Sequence, residues 1–146
     1  MLLGQFDGKI SEKQQISLPS KFRQILGEKI IITKGFEACL IIVSEHEWKT
    51  LLEGTEGRPF TNKAAREIQR FLLGNASFVE LDHKGRCVLP AYLRDYAGLK
   101  NDIVFAGIQR FVEVWNKKAW DEQQENLSEH ASLIAERLSG NENVNE

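Results

Sequence analysis

Apolar and polar residues alternate in short bursts along this chain, and the bursts come in a fixed order. Phe78-Val79-Glu80-Leu81 reads as a strand running into a turn at Asp82-His83-Lys84-Gly85, with Arg86-Cys87-Val88-Leu89 as the returning strand. Pro90 lacks the N–H that a ladder needs but suits the first turn of a helix. Ala91 to Ala97 supplies that helix, with Leu93, Tyr96 and Ala97 inward, and Gly98 closes it. Ile103-Val104-Phe105 and Phe111 to Trp115 follow as a hairpin around Ala106 to Arg110, and a further helix starts at Asn116. Earlier in the chain Ile30 to Thr33 and Cys39 to Val43 flank Lys34 to Ala38 in the same way, and a helix from Ser44 to Leu52 places Trp48, Leu51 and Leu52 on one face. Between these runs, Asn62 to Leu73 is amphipathic and stops at Gly74.

The two runs are copies of one unit. At an offset of 71, Pro19 falls on Pro90, Arg23 on Arg94, Gly27 on Gly98 and Lys29 on Lys100. At an offset of 72, Ile31 meets Ile103, Gly35 meets Gly107 and Trp48 meets Trp120. A unit of this size with such short strands cannot bury a core alone, but two in tandem can interleave strands and share one. The expected architecture is α+β and pseudo-dimeric. It divides into a first unit over 5–52, a hinge and connecting helix over 53–77, a second unit over 78–122, and an acidic helix and tail over 123–146. In that tail Trp120, Leu127, Ala131, Ile134 and Leu138 share a helical stripe, and the segment beyond Ser139 reads as disordered. "EGTEGRP", Glu53 to Pro59, is the natural hinge.

Charge alters the picture through its distribution. The formal net charge is −2, yet 18 Lys and Arg face 14 Asp and Glu up to Ala119, and one Arg faces seven acids from Trp120 onward. A mildly basic body with an acidic tail permits an anionic partner. No apolar run approaches the ~20 residues of a membrane span. The opening MLLGQFDGKI breaks too early for a signal peptide, which predicts a cytoplasmic protein. Cys39 and Cys87 sit in apolar runs and read as buried free thiols. With His46, His83 and His130 they offer no metal spacing, so no metal or cofactor is expected.

Catalytic chemistry is not expected either. Asp82 and His83 are adjacent and point apart, and Gly4 and Gly8 fit neither a phosphate loop nor a dinucleotide fingerprint. The arginines carry more information. Asp82, Gly85, Arg23 and Arg94 read as a structural set that fixes the turns, with the guanidinium forks of Arg86 and Arg94 binding the Asp82 carboxylate. Arg86 fits either turn fixing or phosphate contact. In the first copy the acid becomes Ser11, the glycine Gln14 and the arginine Gln15, while Lys9, Lys13, Lys21 and Arg23 leave residues 1–23 at +2.

These motifs resemble the MraZ family of bacterial proteins with two tandem SpoVT/AbrB-type units. The likeness rests on "LDHKGRCVLPAYLR", "ISLPSKFR", "QRFLLGNAS" and "VEVWNKKAW". It implies a swapped-hairpin, β-barrel-like core with helices outside, a ring-shaped homo-oligomer, and sequence-specific binding to double-stranded DNA, with nucleoid association. The implied target is a set of short direct repeats upstream of the protein's own division and cell-wall gene cluster, where it acts as a transcriptional regulator, often a repressor, and not as an enzyme on a small-molecule substrate. DNA contact would then fall to Lys9, Lys13, Gln15, Lys21 and Arg86. Family members carry D-x-x-x-R in both halves, and here Gln15 replaces the first arginine. Glutamine can pair with adenine but cannot neutralise a phosphate. The competing reading is a ring-forming scaffold that has lost DNA recognition and binds protein partners.

Overall fold

In the computed structural model, which describes residues 1–53, 57 and 60–140, the chain is α+β with mostly antiparallel pairing. The first half runs β1 (Leu2–Lys9), β2 (Gln15–Ser17), α1 (Ser20–Leu26), β3 (Lys29–Lys34), β4 (Leu40–Ser44) and α2 (Glu45–Leu52). After α3 (Lys63–Leu72) the order repeats as β5 (Ser77–Glu80), β6 (Arg86–Val88), α4 (Ala91–Tyr96), β7 (Asp102–Gln109), β8 (Phe111–Asn116) and α5 (Lys117–Gly140). Most of the expected hinge and the last six residues lie outside the described residues. The Ser44, Asn62 and Asn116 side chains cap α2, α3 and α5 by accepting from Glu47, Ala65 and Ala119 N–H groups.

One six-stranded sheet has the order β1-β7-β8-β4-β3-β5, and β2 with β6 forms a separate two-stranded ribbon. Exchanging every strand for its counterpart reads the six-stranded order backwards, so a pseudo-twofold axis relates the halves. It passes between β4 and β8, where Leu40 opposes Val114 and Ile42 opposes Val112. It also passes through the ribbon, where Ile16 opposes Cys87. Each half lends an edge strand to the other's hairpin, β1 to β7 and β5 to β3. This exchange is why the unit occurs twice: a single copy would leave β1, β2 and the outer edge of β3 unpaired.

Three features differ from the sequence-based expectation. Phe78–Leu81 and Arg86–Leu89 flank a tight turn but are not a hairpin: β5 joins β3, and β6 joins β2 of the other half. The eight-residue β1 has no counterpart in the expected pattern, because Gly4, Asp7 and Gly8 mask its alternation. At Gly8 a Cβ would stand 2.6 Å from a ring carbon of Phe105, so the glycine there is a packing requirement. The repeat offset also slips. Ile30 opposes Ser44 as Ile103 opposes Asn116, so Ile30, not Ile31, is the counterpart of Ile103. A slip of one residue exchanges the faces of a strand, and burial agrees: Ile30 and Ile103 lie in the main core, whereas Ile31 faces the opposite side.

The main core lies between one face of the large sheet, carrying Ile30, Ile32, Leu40, Ile42, Ile103, Phe105, Val112 and Val114, and the ribbon with α1 and α4. Phe22, Leu26 and Leu93 fill it from the helices, and Ile16 and Cys87 from the ribbon. The other face is covered by α2 through Trp48 and by the first turns of α5 through Trp120. The fully buried Thr33 donates to the carbonyl of Leu72 at 2.6 Å, which docks the end of α3 on the same side.

Candidate nucleic-acid interface

The ribbon and its turns bring together Lys13, Gln15 and Arg86 of the predicted contact residues, whereas Lys9 lies at the end of β1 and Lys21 in α1. In β2 and β6, Ile16 and Cys87 point into the core, so the alternating positions Gln15, Ser17, Arg86 and Val88 point out. Gln15 lies opposite Val88, and Ser17 opposite Arg86. The ribbon extends beyond its three paired positions through a symmetric couple of bonds. The N–H of Leu18 donates to the Gly85 carbonyl and that of Leu89 to the Gln14 carbonyl, both at 3.0 Å. Each end of the ribbon is therefore stitched to the turn of the opposite half.

Those turns share a backbone but not a side-chain chemistry. In each, the fourth residue returns its N–H to the first, Gly85 to Asp82 and Gln14 to Ser11, both at 2.9 Å. The Asp82 carboxylate accepts from the N–H groups of Arg86 (2.8 Å) and Lys84 (2.9 Å) and pairs with the Arg86 guanidinium at 2.8 Å. These bonds, the Arg86 N–H foremost, pull its carboxyl down to about 2. In the first half Ser11 Oγ makes the one corresponding bond, from Gln15 N–H at 3.2 Å.

The basic residues divide by their partners. Arg86 is held by Asp82 yet remains partly exposed, so it can fix the turn and still present N–H donors outward. Arg94 is not part of that cluster: it donates to the carbonyl of Leu89 at 3.0 Å. Arg23 reaches across to the second-half turn and lies over Gly85, where a Cβ would stand 2.6 Å from Arg23 Cδ. Lys9 is paired with Asp102 at 2.8 Å. Lys13, Lys21 and Lys84 are exposed and in no ion pair among the described residues. Lys13 and Lys84 sit in the two turns at opposite ends of the ribbon, and Lys21 opens α1 just beyond Ser17. Ser17, Val88 and Lys84 were not among the expected contacts. Strand alternation from Gln15 and Arg86 is the signal that finds the first two.

The other features of the described surface are less suited to a ligand. A cavity of about 400 Å³ by Asp7, Lys9, Asp102 and Lys117 is lined by charges already paired with one another. Cys39 and Cys87 are free and buried, and burial raises both thiols, Cys87 to about 11. Among the described residues no His, Cys, Asp and Glu group could hold a metal, and no helix is long and apolar enough to cross a membrane.

Comparison with known proteins matches this arrangement twice over. The profile of the family described as "MraZ protein, putative antitoxin-like" matches residues 1–71 and again residues 72–141. A protein named transcriptional regulator MraZ from Caldanaerobacter subterraneus subsp. tengcongensis is 39% identical over 138 residues, 94% of this chain and 96% of the relative. One of the same name from Thermoanaerobacter sp. (strain X514) is 40% identical with the same coverage. Another from Acetivibrio thermocellus is 39% identical over 95% of this chain and 97% of its own length.

Proposed function

The chain belongs to the MraZ family, and from that membership we propose that it is a transcriptional regulator binding double-stranded DNA sequence-specifically through the exposed face of the β2–β6 ribbon. One observation carries this reading: Gln15, Ser17, Arg86 and Val88 stand side by side on a two-stranded ribbon with unpaired lysines at both ends. Two strands lie about 4.8 Å apart, and the B-DNA major groove, about 12 Å wide, admits such a ribbon. Lys13, Lys21 and Lys84 would position it on phosphates. Gln15 would pair with adenine, Arg86 with guanine or phosphate, and Val88 with a thymine methyl. Lys9, already neutralised by Asp102, contributes least.

A single ribbon flanked by three free lysines binds weakly at physiological salt. Assembly of several copies into a ring, each presenting its ribbon to one of a set of short direct repeats, multiplies those contacts through effective concentration. On this reading the two units, over 5–52 and 78–122, form a swapped-hairpin, barrel-like core. The protein acts in the cytoplasm on the nucleoid, as a repressor upstream of its own division and cell-wall gene cluster. Fluorescence anisotropy at two salt concentrations tests the proposal, comparing DNA from the region upstream of its own gene with scrambled DNA. Saturable preference for the upstream DNA supports it. Equal affinity for both, or none, leaves the scaffold reading, which the loss of an arginine at Gln15 would favour.

A further inference from the structure

The heptad spacing of α5 carries an inference independent of DNA. Trp120 is buried in this 24-residue helix, whereas every residue from Glu125 to Gly140 is exposed. In that exposed part Leu127, Ala131, Ile134 and Leu138 follow one another at intervals of four, three and four, in phase with Trp120 and Gln124. This is the a/d seam of a coiled coil. Among the large apolar residues of the stretch, Leu133 alone stands off it.

The charges indicate what covers the seam. Glu122, Glu129 and Glu136 recur every seven residues at the heptad position furthest from it. The positions flanking it over the exposed part are Ser128, His130, Ala135 and Arg137. Two such helices can meet with all of these acids turned to solvent, so the acidic tail does not repel its own copy. The strict a/d spacing fits a partner helix with the same seam, and a second copy of this chain supplies one. We propose that α5 pairs with α5 of a second copy of this chain through Leu127, Ala131, Ile134 and Leu138. Two heptads are too few for an independent coiled coil, so the contact is reversible and depends on concentration. It is distinct from contacts between the folded bodies in the proposed ring.

Sedimentation velocity on the full chain over a concentration series tests the pairing. Leu127→Asp with Ile134→Asp should weaken the concentration-dependent step of self-association at least tenfold, leaving any ring of bodies in place. Glu129→Gln with Glu136→Gln, on the far face, should leave that step unchanged. The melting temperature of the body should not move in either, since both pairs are exposed. Ile134→Cys offers a second measurement: Cys39 and Cys87 are buried, so mild oxidation should give a chain-to-chain cross-link through position 134. Wild-type sedimentation of the seam variant at all concentrations, with no cross-link, overturns the proposal. So does a wild-type protein that stays monomeric throughout, as it would if the seam served a different chain.

Discussion

Gln14 and Gly85 occupy the same corner of the two halves with nearly the same left-handed backbone, at φ of 64° and 75°. Glycine adopts it freely, whereas a side chain there costs about 1–2 kcal/mol. Gln14→Gly should therefore stabilise the protein by about 0.5–1 kcal/mol, after allowing for the extra freedom glycine gives the unfolded chain. Gly85→Ala should destabilise it by about 1–3 kcal/mol, because it adds backbone strain and displaces Arg23. Urea unfolding measures both. A destabilised Gln14→Gly would show that the glutamine side chain contributes more than its backbone costs.

The free lysines make the binding proposal quantitative. Lys13→Gln and Lys21→Gln should each weaken DNA binding and reduce the magnitude of the slope of log K against log salt by about 0.9. Gln15→Arg should do the reverse, steepening the slope by a similar amount. Unchanged slopes in all three variants would place the DNA on another face.

Val88 and Ser17 should behave differently from the lysines. Val88→Ala removes apolar surface without charge, so the salt slope should stay fixed. Preference among upstream sequences should fall about three- to tenfold, the equivalent of one lost methyl contact. Affinity measured on a panel of single-base operator variants reads this directly, and a uniform loss across the panel would contradict base contact.

Asp82 gives the fold an acid-sensitive joint. Its folded value of about 2 lies below the ~3.9 of an unfolded chain, so its contribution is complete above about pH 5 and disappears as pH falls from 4 towards 2. The stability difference between wild type and Asp82→Asn should be widest near neutrality and close over that interval. Melting curves from pH 7 to pH 2 would show it, and a constant difference would mean that Asp82 acts through packing alone.

The cysteines should be inert in the native protein. With Cys87 near 11, only about one thiol in a thousand is ionised at pH 8, and Cys39 is suppressed further. Labelling by a disulfide reagent at pH 8 should be at least ~100-fold slower than in urea. Fast native labelling would reveal an opening of the core.

The sequence shows local chemistry well and pairing poorly, and the ribbon illustrates both. The turn residues Asp82 and Gly85, the caps Ser44 and Asn116, and the Pro-helix-Gly order are written in neighbouring residues. The partner of Arg86–Val88 is not, because Gln15–Ser17 lies some seventy positions away and only the duplication links them. The slipped match of Ile31 with Ile103 has the same origin. The loop between Lys34 and Leu40 is one residue longer than that between Gly107 and Val112, so residue matches alone misplace the compensating shift before β3 and β7. β1 escapes notice because its glycines serve close packing against a strand that arrives much later.

That late arrival bears on how the protein is made. Leu2 pairs with Gln109 and Lys9 with Asp102, so β1 has no partner until about a hundred further residues have left the ribosome. At ~5–20 residues per second this is a wait of roughly 5–20 s. Over that interval Leu2–Lys9 is a bare edge in a crowded cell, and a neighbouring nascent chain carrying the same β7 could claim it first.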